Sequence, residues 1–328
     1  MKVLAGDIGG THARLALVEL DGSPRIVAEH TGRSQEIKAV APFIAEFPAK
    51  HGFRATHACL GVAGPVLNGT VTGTNLPWLL SEQELGEVLG IPHFRLINDF
   101  EAAAYGIPSL LPHEVLTLQE GQPDPHGVIA LIGAGTGLGE GFVVRAGPGY
   151  SVQPSEGGHS SFAAEDARGW ALFSFLAARY GHVSWERVVS GPGLIDCFEF
   201  VAAGRESESQ ATLRADMARE NPGAVLTRYA LAGHDALAVE ALDLFVDAYG
   251  AQAGNLALTV LATGGVYVAG GFARQIASKL AEGGFLAAFR RKGRMAALLE
   301  RIPVRVILSP EVALLGAAVV AGALADSR

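Results

Sequence analysis

The sequence predicts an α/β protein built as two lobes with a ligand cleft between them. The chain has 328 residues, a length that suits about two domains. Its composition, 49% hydrophobic and 18% charged with 42 glycines, is typical of a soluble α/β protein with many tight turns. Each half also contains an apolar strand, a glycine turn and a second apolar strand, LAGDIGGTHARLAL from Leu4 and LIGAGTGLGEGFVV from Leu131. The repeated pattern indicates an ancestral duplication.

The first half alternates short apolar runs with helical patterns. Apolar residues at i, i+3, i+4 and i+7 from Ile37 predict a helix over 34–48. Ser81 and Glu84 form a capping-box pattern that predicts a helix from about residue 81 to 89. The runs predict strands at 4–6, 13–19, 58–62, 94–97 and 128–132.

The second half repeats this order. Strands are expected at 142–144, 266–269 and 304–308, and a last apolar helix at 311–324. We therefore expect a smaller N-terminal lobe, 1–132, and a larger C-terminal lobe, 133–328, with the C-terminal helix, 311–325, able to pack back on the first lobe. A helix-rich region at about 158–235 has no counterpart in the first half and is interpreted as an insertion shaping one wall of the cleft.

Charge and cysteine usage exclude several classes of protein. The net charge is −8, and the one basic cluster, residues 290–294, is typical of a solvated helix end, so nucleic acid is not an expected partner. Cys59 and Cys197 lie far apart without zinc-site spacing, which indicates reduced, buried thiols in a cytoplasmic protein. We expect no signal peptide. Glycine pairs and polar residues interrupt the uncharged run 248–273, which favours a buried helix and strand over a membrane span.

The two glycine motifs are predicted to be hairpins. A dinucleotide fingerprint would lead from a strand into a helix, whereas an amphipathic strand follows Gly10 and the glycines of the second motif recur every two residues, as in an extended chain. No Lys follows either cluster, so the P-loop pattern is missing. Glycine hairpins can still bind phosphate, because their backbone N–H groups can converge on an anion. Two ordinary tight turns remain the alternative.

Asp7 lies where the first strand enters its turn. A carboxylate next to a phosphate site would repel the phosphate unless a cation lay between them, so Asp7 is a candidate for holding Mg²⁺ directly or through water. The alternative is that Asp7 only caps the turn.

Six motifs, in the same order and spanning nearly the whole chain, carry a family resemblance. They are GDIGGTHARLAL from Gly6, INDFEAAAYG from Ile97, LIGAGTGLG from Leu131, SEGGH from Ser155, GHVSWERVVSGPGL from Gly181 and GGVYVAGGF from Gly264. Together they resemble the zinc-free bacterial glucokinases of the actin-like ATPase superfamily. The resemblance implies the two-lobed actin-like ATPase (ribonuclease H-like) fold, with a duplicated β-sheet core.

The resemblance also implies which residues bind ATP. The two hairpins would hold its phosphates, and the VAGG segment at 268–271 would accept the adenosine. The implied cofactor-binding residues are Gly6, Asp7, Ile8, Gly9, Gly10, Thr11, Gly133, Gly135, Thr136, Gly137, Gly270 and Gly271. His12 departs from the family, in which Asn is the commoner residue.

In the family pattern, Asp99 is the catalytic base that takes the proton of the sugar 6-hydroxyl. Read without the family, Asp99 fits the N-cap of the following Ala-rich helix equally well. The implied sugar-binding residues are Asn75, Asn98, Asp99, Glu156, His159 and Glu186. Taken alone, Glu186 could be a helix-surface residue, His159 a structural hydrogen-bonding residue, and Asn75 a turn residue.

The resemblance therefore implies an ATP- and Mg²⁺-dependent glucokinase, a cytoplasmic homodimer that acts at the first step of glycolysis. Closure of the two lobes would exclude water from the γ-phosphate. Three alternatives stay open: a kinase for mannose or glucosamine, a polyphosphate-dependent kinase, and an actin-like ATPase that uses no sugar. The absence of clustered cysteines disfavours the zinc-containing sugar kinases and repressors.

Overall fold

The computed structural model describes residues 1–72, 78–146, 149–207 and 209–324. Its strands, in chain order, are β1 (Lys2–Ile8), β2 (His12–Glu19), β3 (Arg25–Arg33), β4 (His57–Val62), β5 (Val66–Leu67), β6 (Thr70–Thr72), β7 (Leu79–Ser81), β8 (His93–Asn98), β9 (Val115–Gln119), β10 (Ile129–Ala134), β11 (Leu138–Ala146), β12 (Gly149–Ser155), β13 (Gly265–Val268) and β14 (Val304–Ile307).

Helices alternate with these strands and are concentrated in the second half of the chain. They are α1 (Val40–Lys50), α2 (Glu82–Leu89), α3 (Asp99–Gly106), α4 (Ala167–Tyr180), α5 (Gly191–Ala202), α6 (Gln210–Met217), α7 (Pro222–Leu231), α8 (Ala236–Val260), α9 (Gly271–Gln275), α10 (Ala277–Ala281), α11 (Gly284–Arg290), α12 (Ala296–Leu299) and α13 (Val312–Ala323). Short 3₁₀ turns cover Ser34–Glu36, Gly157–His159 and Trp185–Arg187, among others.

Unit 1 consists of Met1–Glu114 and the C-terminal residues from Ser309 onward. Its main sheet has the strand order β3-β2-β1-β4-β8, in which β3, β2 and β1 are antiparallel and β1, β4 and β8 are parallel. Side chains alternate between the two faces of β1. Leu4 and Ile8 lie in the core with α1, whereas Val3 and Ala5 lie in a second core with α13.

Unit 2 consists of Val115–Leu308 and has a six-stranded sheet in the order β12-β11-β10-β13-β14-β9. Its first five strands repeat the arrangement of unit 1, because β12, β11 and β10 are antiparallel while β10, β13 and β14 are parallel. The matching topology confirms the predicted duplication of the β-sheet core. Its hydrophobic core extends from these strands to the buried faces of α5 and α8.

The unit boundaries differ from the expected division at residue 132. The chain divides after Glu114, because β9 pairs with β14 and β10 pairs with β11 and β13, all within unit 2. It divides again after Leu308, since α13 packs on α3, β1 and β4 of unit 1.

Helix boundaries follow the sequence most closely where the capping signal is local. The Ser81 hydroxyl accepts a hydrogen bond from the Glu84 N–H (3.3 Å), which confirms the predicted start of α2. The helix expected over 34–48 instead begins at Val40, because a 3₁₀ turn at Ser34–Glu36 comes first.

The apolar run 248–273 forms the end of α8 and then β13, as predicted. Over the described residues, none of the helices has the length and apolar character needed to cross a membrane.

Candidate active site

The first glycine motif forms a tight antiparallel hairpin, which confirms the strand-turn-strand prediction. β1 and β2 are paired from Lys2 opposite Glu19 to Ile8 opposite Ala13, and the Gly9 N–H donates to the His12 carbonyl (2.9 Å). The turn between them exposes Thr11 and leaves Gly9 and Gly10 partly exposed. Gly6 lies in the strand, where a Cβ would be only 2.5 Å from Leu60 Cδ2.

A buried serine holds this hairpin turn. The Ser34 hydroxyl donates to the Gly9 carbonyl (2.6 Å), and the Ser34 N–H donates to the Thr11 carbonyl (3.0 Å). Ser34 is fully buried. Sequence reasoning missed this residue, because the contact joins positions about 25 residues apart and no local pattern marks it.

Asp7 and Asp99 lie at the same edge of the unit 1 sheet. Asp7 precedes the end of β1 and is paired with Gly61 of β4, while Asp99 follows the end of β8. A Cβ on Gly61 would lie 2.8 Å from the Cβ of Ala102 and 3.5 Å from the Asp99 Cα, so the glycine lets the start of α3 approach the sheet closely.

This environment changes the proton affinity of Asp99. Burial, and after it the nearby Asp7 carboxylate, together raise the pKa of Asp99 to about 6, although hydrogen bonds from the backbone N–H groups of Phe100 and Asp99 oppose the change. A carboxylate with a pKa of about 6 is ionised at neutral pH but is a stronger base than an exposed Asp. Such a group can accept a proton from a bound hydroxyl.

The N-cap of α3 is Asn98 and not Asp99, which corrects the capping interpretation of Asp99. The Asn98 Oδ1 accepts from the N–H groups of Phe100 (2.8 Å) and Glu101 (3.3 Å), and its Nδ2 donates to the Gly64 carbonyl (2.9 Å). Glu101, at the third helical position, gives the Asn-x-x-Glu spacing of a capping box, and its interaction with the Asn98 backbone opposes the burial that raises the pKa of Glu101. Asp99 is the first residue of the helix, and its Oδ1 accepts a hydrogen bond from the Phe100 N–H (2.9 Å).

The Asn-x-x-Glu spacing of this capping box is visible in the sequence, so it could have been predicted. The Asn98 side chain already has three hydrogen bonds within the protein, and its predicted contact with a hexose stays a prediction.

The second glycine motif is also a hairpin, as predicted, and lies in unit 2. β10 and β11 pair as far as Ala134–Leu138, the Gly135 N–H donates to the Gly137 carbonyl (2.8 Å), and Gly135 and Thr136 are exposed at the tip. The Gly270–Gly271 turn follows β13, the strand beside β10, and a Cβ on Gly270 would lie 3.4 Å from the Ala134 carbonyl. The implied phosphate and adenosine residues of unit 2 are therefore neighbours.

Three of the predicted sugar-binding residues come together beside this second hairpin. His159 Nδ1 lies 3.8 Å from Glu186 Oε1, and His159 Nε2 lies 3.8 Å from Glu156 Oε2. The Glu156 and His159 side chains are 85% and 62% exposed, whereas that of Glu186 is 29% exposed. The cluster therefore offers two carboxylates and an imidazole to a polar ligand.

Glu186 is not an ordinary surface residue. Its Oε2 accepts a hydrogen bond from the Leu138 N–H at the base of the second hairpin (3.0 Å). Gly157 and Gly158, between Glu156 and His159, lie so close to β11 that a Cβ on either would overlap Glu140 Oε2 or the Leu138 carbonyl. The glycines of SEGGH therefore let this segment lie directly on the hairpin strand.

A buried polar network beneath the second hairpin was also missed. The Tyr249 hydroxyl accepts from the Ala134 N–H (3.0 Å), and the Glu140 carboxylate accepts from Gln252 Nε2 (2.7 Å). Both acceptor residues are buried, and burial raises the pKa of each. The partners come from α8, more than 100 residues away along the chain, so no local signal reveals them.

Three predicted site residues remain, of which two are buried and one is not described. Ile8 and Gly133 are buried in their strands, where only their backbone could face a ligand. Asn75 lies outside the described residues.

No group of three or more His, Cys, Asp or Glu side chains that could hold a metal ion by themselves occurs within 1–72, 78–146, 149–207 and 209–324. A Mg²⁺ ion at Asp7 would therefore need other oxygen ligands, such as phosphate and water, which is how this ion is commonly bound in phosphoryl-transfer sites.

Known proteins resemble this chain along nearly its whole length. The family model described as Glucokinase matches residues 4–324. A glucokinase of Nostoc sp. is 42% identical over 340 aligned positions that cover 98% of this chain and 99% of the relative. The crystal structure of glucokinase from an Antarctic psychrotroph is 32% identical, covers 99% of both chains and superimposes with a TM-score of 0.87.

A more distant structure shares the fold. The glucokinase of the ROK family from Streptomyces griseus, solved in complex with glucose and AMPPNP, is 22% identical and superimposes with a TM-score of 0.66, covering 98% of this chain and all of that one. The expected two-lobed actin-like ATPase fold class is confirmed. With a family match over nearly the whole chain and close relatives of the same length, this chain belongs to the glucokinase family.

Proposed function

We propose that this protein transfers the γ-phosphoryl group of ATP to the 6-hydroxyl of glucose, yielding glucose 6-phosphate and ADP. The observation that carries the proposal is Asp99, a carboxylate held at the start of α3 with a pKa raised to about 6 by burial and by Asp7. Family membership supports the activity, and the relatives named glucokinase support glucose as the substrate.

In the proposed reaction, Asp99 accepts the proton of the 6-hydroxyl as that oxygen forms a bond to the γ-phosphorus. The bond between the γ-phosphorus and the oxygen bridging to the β-phosphate breaks, and ADP leaves. Phosphoryl transfer depends on positioning and charge neutralisation more than on covalent catalysis. The capping box of Asn98 and Glu101 supports this role, because it fixes the backbone from which Asp99 extends.

The two hairpins are the proposed phosphate sites. In unit 1, the residues assigned to ATP are Gly6, Asp7, Ile8, Gly9, Gly10 and Thr11, and in unit 2 they are Gly133, Gly135, Thr136, Gly137, Gly270 and Gly271. The exposed tips of the two turns support this assignment, because backbone N–H groups that the turns' own hydrogen bonds do not use can reach an anion there. Asp7 would hold Mg²⁺, which neutralises charge on the phosphates when it is bound.

Sugar recognition is assigned to Asn75, Asn98, Asp99, Glu156, His159 and Glu186. The cluster of Glu156, His159 and Glu186 supports it, since neighbouring hydroxyls of a hexose need several acceptors and donors that converge. A hexose that left one of these groups unpaired would bind more weakly. Mannose and glucosamine are the alternative substrates.

Two other donors or reactions remain as alternatives. Polyphosphate could use the phosphate hairpins without an adenosine site, and an actin-like ATPase would hydrolyse ATP without a sugar. The structure solved with glucose and AMPPNP, from a distant relative, favours a sugar and a nucleotide as joint ligands in this fold. We further propose a cytoplasmic homodimer that acts at the start of glycolysis and has no nucleic-acid or membrane partner.

The test is a panel of glucose, mannose and glucosamine with ATP, ADP or polyphosphate, each with and without Mg²⁺. We expect sugar phosphate from glucose with ATP and Mg²⁺, and a loss of at least 100-fold in kcat for Asp99→Asn, consistent with the usual contribution of a general base. Asp21→Asn, at an exposed turn of the same unit, is the control and should leave kcat unchanged. Full turnover by Asp99→Asn would refute the role of Asp99, and the absence of any sugar phosphate would refute the activity.

A further inference from the structure

Glu186 connects the proposed sugar cluster to the second phosphate hairpin. Its Oε1 faces His159 at 3.8 Å, while its Oε2 accepts the Leu138 N–H at 3.0 Å. A Cβ on Gly137 would overlap the same Oε2, so the carboxylate lies directly against the hairpin turn. One side chain therefore touches both parts of the site.

The backbone around Glu186 is attached to the same hairpin at a second point. The Ser190 hydroxyl donates to the Glu186 carbonyl (2.7 Å) and accepts from the Gly193 N–H (3.0 Å), which caps α5. The next residue, Gly191, donates its N–H to the Gly135 carbonyl at the tip of the hairpin (2.8 Å). The Glu186 carboxylate at Leu138 and the Gly191 N–H at Gly135 therefore hold the hairpin turn at its two ends.

We infer that Glu186 is a bridging residue that couples the binding of sugar and nucleotide, with one carboxylate oxygen on a sugar hydroxyl and the other holding the phosphate hairpin in shape. The inference rests on the proposed function. A carboxylate has two acceptor oxygens with about four lone-pair directions, so it can serve both partners at once. Sugar binding fixes the carboxylate, which orders Leu138 and its turn for phosphate, and nucleotide binding favours sugar by the same factor.

Glu156 is the natural comparison within the same cluster. Its side chain also lies 3.8 Å from His159, but it is 85% exposed. Among the hydrogen bonds of the described residues, none joins the Glu156 side chain to the hairpin. Glu156 can therefore contribute to sugar affinity without transmitting it.

The experiment measures the dissociation constant of AMPPNP with Mg²⁺ by calorimetry, with and without saturating glucose, in the 328-residue chain. For the unaltered chain we expect glucose to tighten AMPPNP binding by about 5- to 150-fold, the usual range of coupling between sites. Glu186→Ala, which removes both oxygens, should bring the ratio to about 1. Glu186→Asp keeps the charge but is one methylene too short to span both partners, so it should do the same.

Glu156→Ala is the matched control. It should weaken glucose binding and leave the coupling ratio within twofold of the unaltered chain. Gly137→Ala approaches the same contact from the hairpin side, because its Cβ would displace Glu186 Oε2, and it should lower the ratio while both carboxylates remain. This variant keeps the test valid if Glu186→Ala does not fold.

The possible failures are distinct. If Glu156→Ala and Glu186→Ala both weaken glucose binding but the ratio stays as in the unaltered chain, the bridging role is overturned and the proposed sugar site stands. A ratio of 1 in the unaltered chain would also overturn the bridging role. If neither variant changes glucose affinity, the proposed sugar site is wrong and the bridge is overturned with it.

Discussion

Replacing Asp99 by Asn is expected to abolish turnover and, at the same time, to make the protein more stable at neutral and alkaline pH. The reason lies in the environment of the carboxylate. Burial and the neighbouring Asp7 both disfavour the charged form of Asp99, and this is why its pKa is raised. The Asn amide has nearly the same shape but no charge, so the folded protein no longer loses stability by burying a charge beside Asp7.

The magnitude follows from the pKa. A change from the ordinary 3.8 to about 6 corresponds to about 3 kcal/mol at 1.36 kcal/mol for each pH unit. Because the folded protein binds this proton more tightly than the unfolded chain, the stability contribution is fully present below pH 3.8 and is lost as the pH rises through 6. Asp99→Asn should therefore exceed the unaltered chain by up to about 3 kcal/mol at pH 8, and the two should converge towards pH 4.

Two measurements check this prediction. Urea unfolding of both proteins between pH 4.5 and 8, without ligands, gives the difference in free energy of unfolding. The pH profile of kcat/KM reports the pKa of the free enzyme, and it should fall about tenfold for each pH unit below 6, reaching about a tenth of its plateau at pH 5. Equal stability of the two proteins at pH 8, or a profile that falls only near pH 4, would refute the reasoning.

Asp7→Asn serves as a second probe of the same pair. It removes the second cause of the raised pKa but not the burial. The pH range over which the free energy of unfolding changes as Asp99 loses its proton should therefore move to lower pH without disappearing. An unchanged pH range would show that Asp7 does not influence the proton on Asp99.

Three further substitutions test the supports of the site. Ser34→Ala leaves the Gly9 carbonyl without its hydroxyl donor, so unfolding should become easier by about 1–3 kcal/mol and the KM for ATP should rise more than kcat falls, as steady-state kinetics can show. Glu101→Ala removes the second residue of the capping box at α3, so it should cost about 1 kcal/mol in urea unfolding and reduce kcat, with Glu101→Gln restoring both. The Cβ of Gly316→Ala would overlap the backbone of α3, so this variant should lower the free energy of unfolding by about 1–3 kcal/mol or more, seen as a lower melting temperature. The Cβ of Gly322→Ala meets only the flexible end of a leucine side chain, so this variant should lose less stability.

The hairpins were predictable from the sequence because their signals are local. Alternating apolar residues after Gly10 and glycines at every second position from 133 to 141 both specify extended chain within a few residues. In unit 1, β1 pairs with β2 as far as Ile8 and Ala13. In unit 2, β10 pairs with β11 as far as Ala134 and Leu138.

The division into units was not predictable in the same way. Residues 115–119 fall within the expected N-terminal lobe, 1–132, but β9 pairs with β14, which is almost 190 residues further along the chain. The start of α1 was displaced for a related reason, since Ser34 is bound to the first hairpin and its neighbours form a 3₁₀ turn. In both cases a long-range contact determines the local structure.

The site shows the same limit. The motifs assign Glu156, His159 and Glu186 to one sugar site, and in the structure the His159 ring lies 3.8 Å from each of the two carboxylates. The hydrogen bond from Leu138 to Glu186 joins residues about 50 positions apart, so nothing near Trp185 reveals it. The cap at Asn98, by contrast, has a local signal, because Asn98 and Glu101 have the spacing of a capping box.

The position of α13 at the far end of the chain has a consequence for biosynthesis. Leu314 and Ala318 of this helix cover a sheet face formed by Val3, Ala5 and Cys59, which leave the ribosome first. Residues 115–308 are made in between, and at about 5–20 residues per second they take about 10–40 s. During that interval the nascent first unit presents an uncovered apolar face. Substitutions in α13 should therefore reduce the yield of folded chains through aggregation during synthesis, even when the finished protein tolerates them.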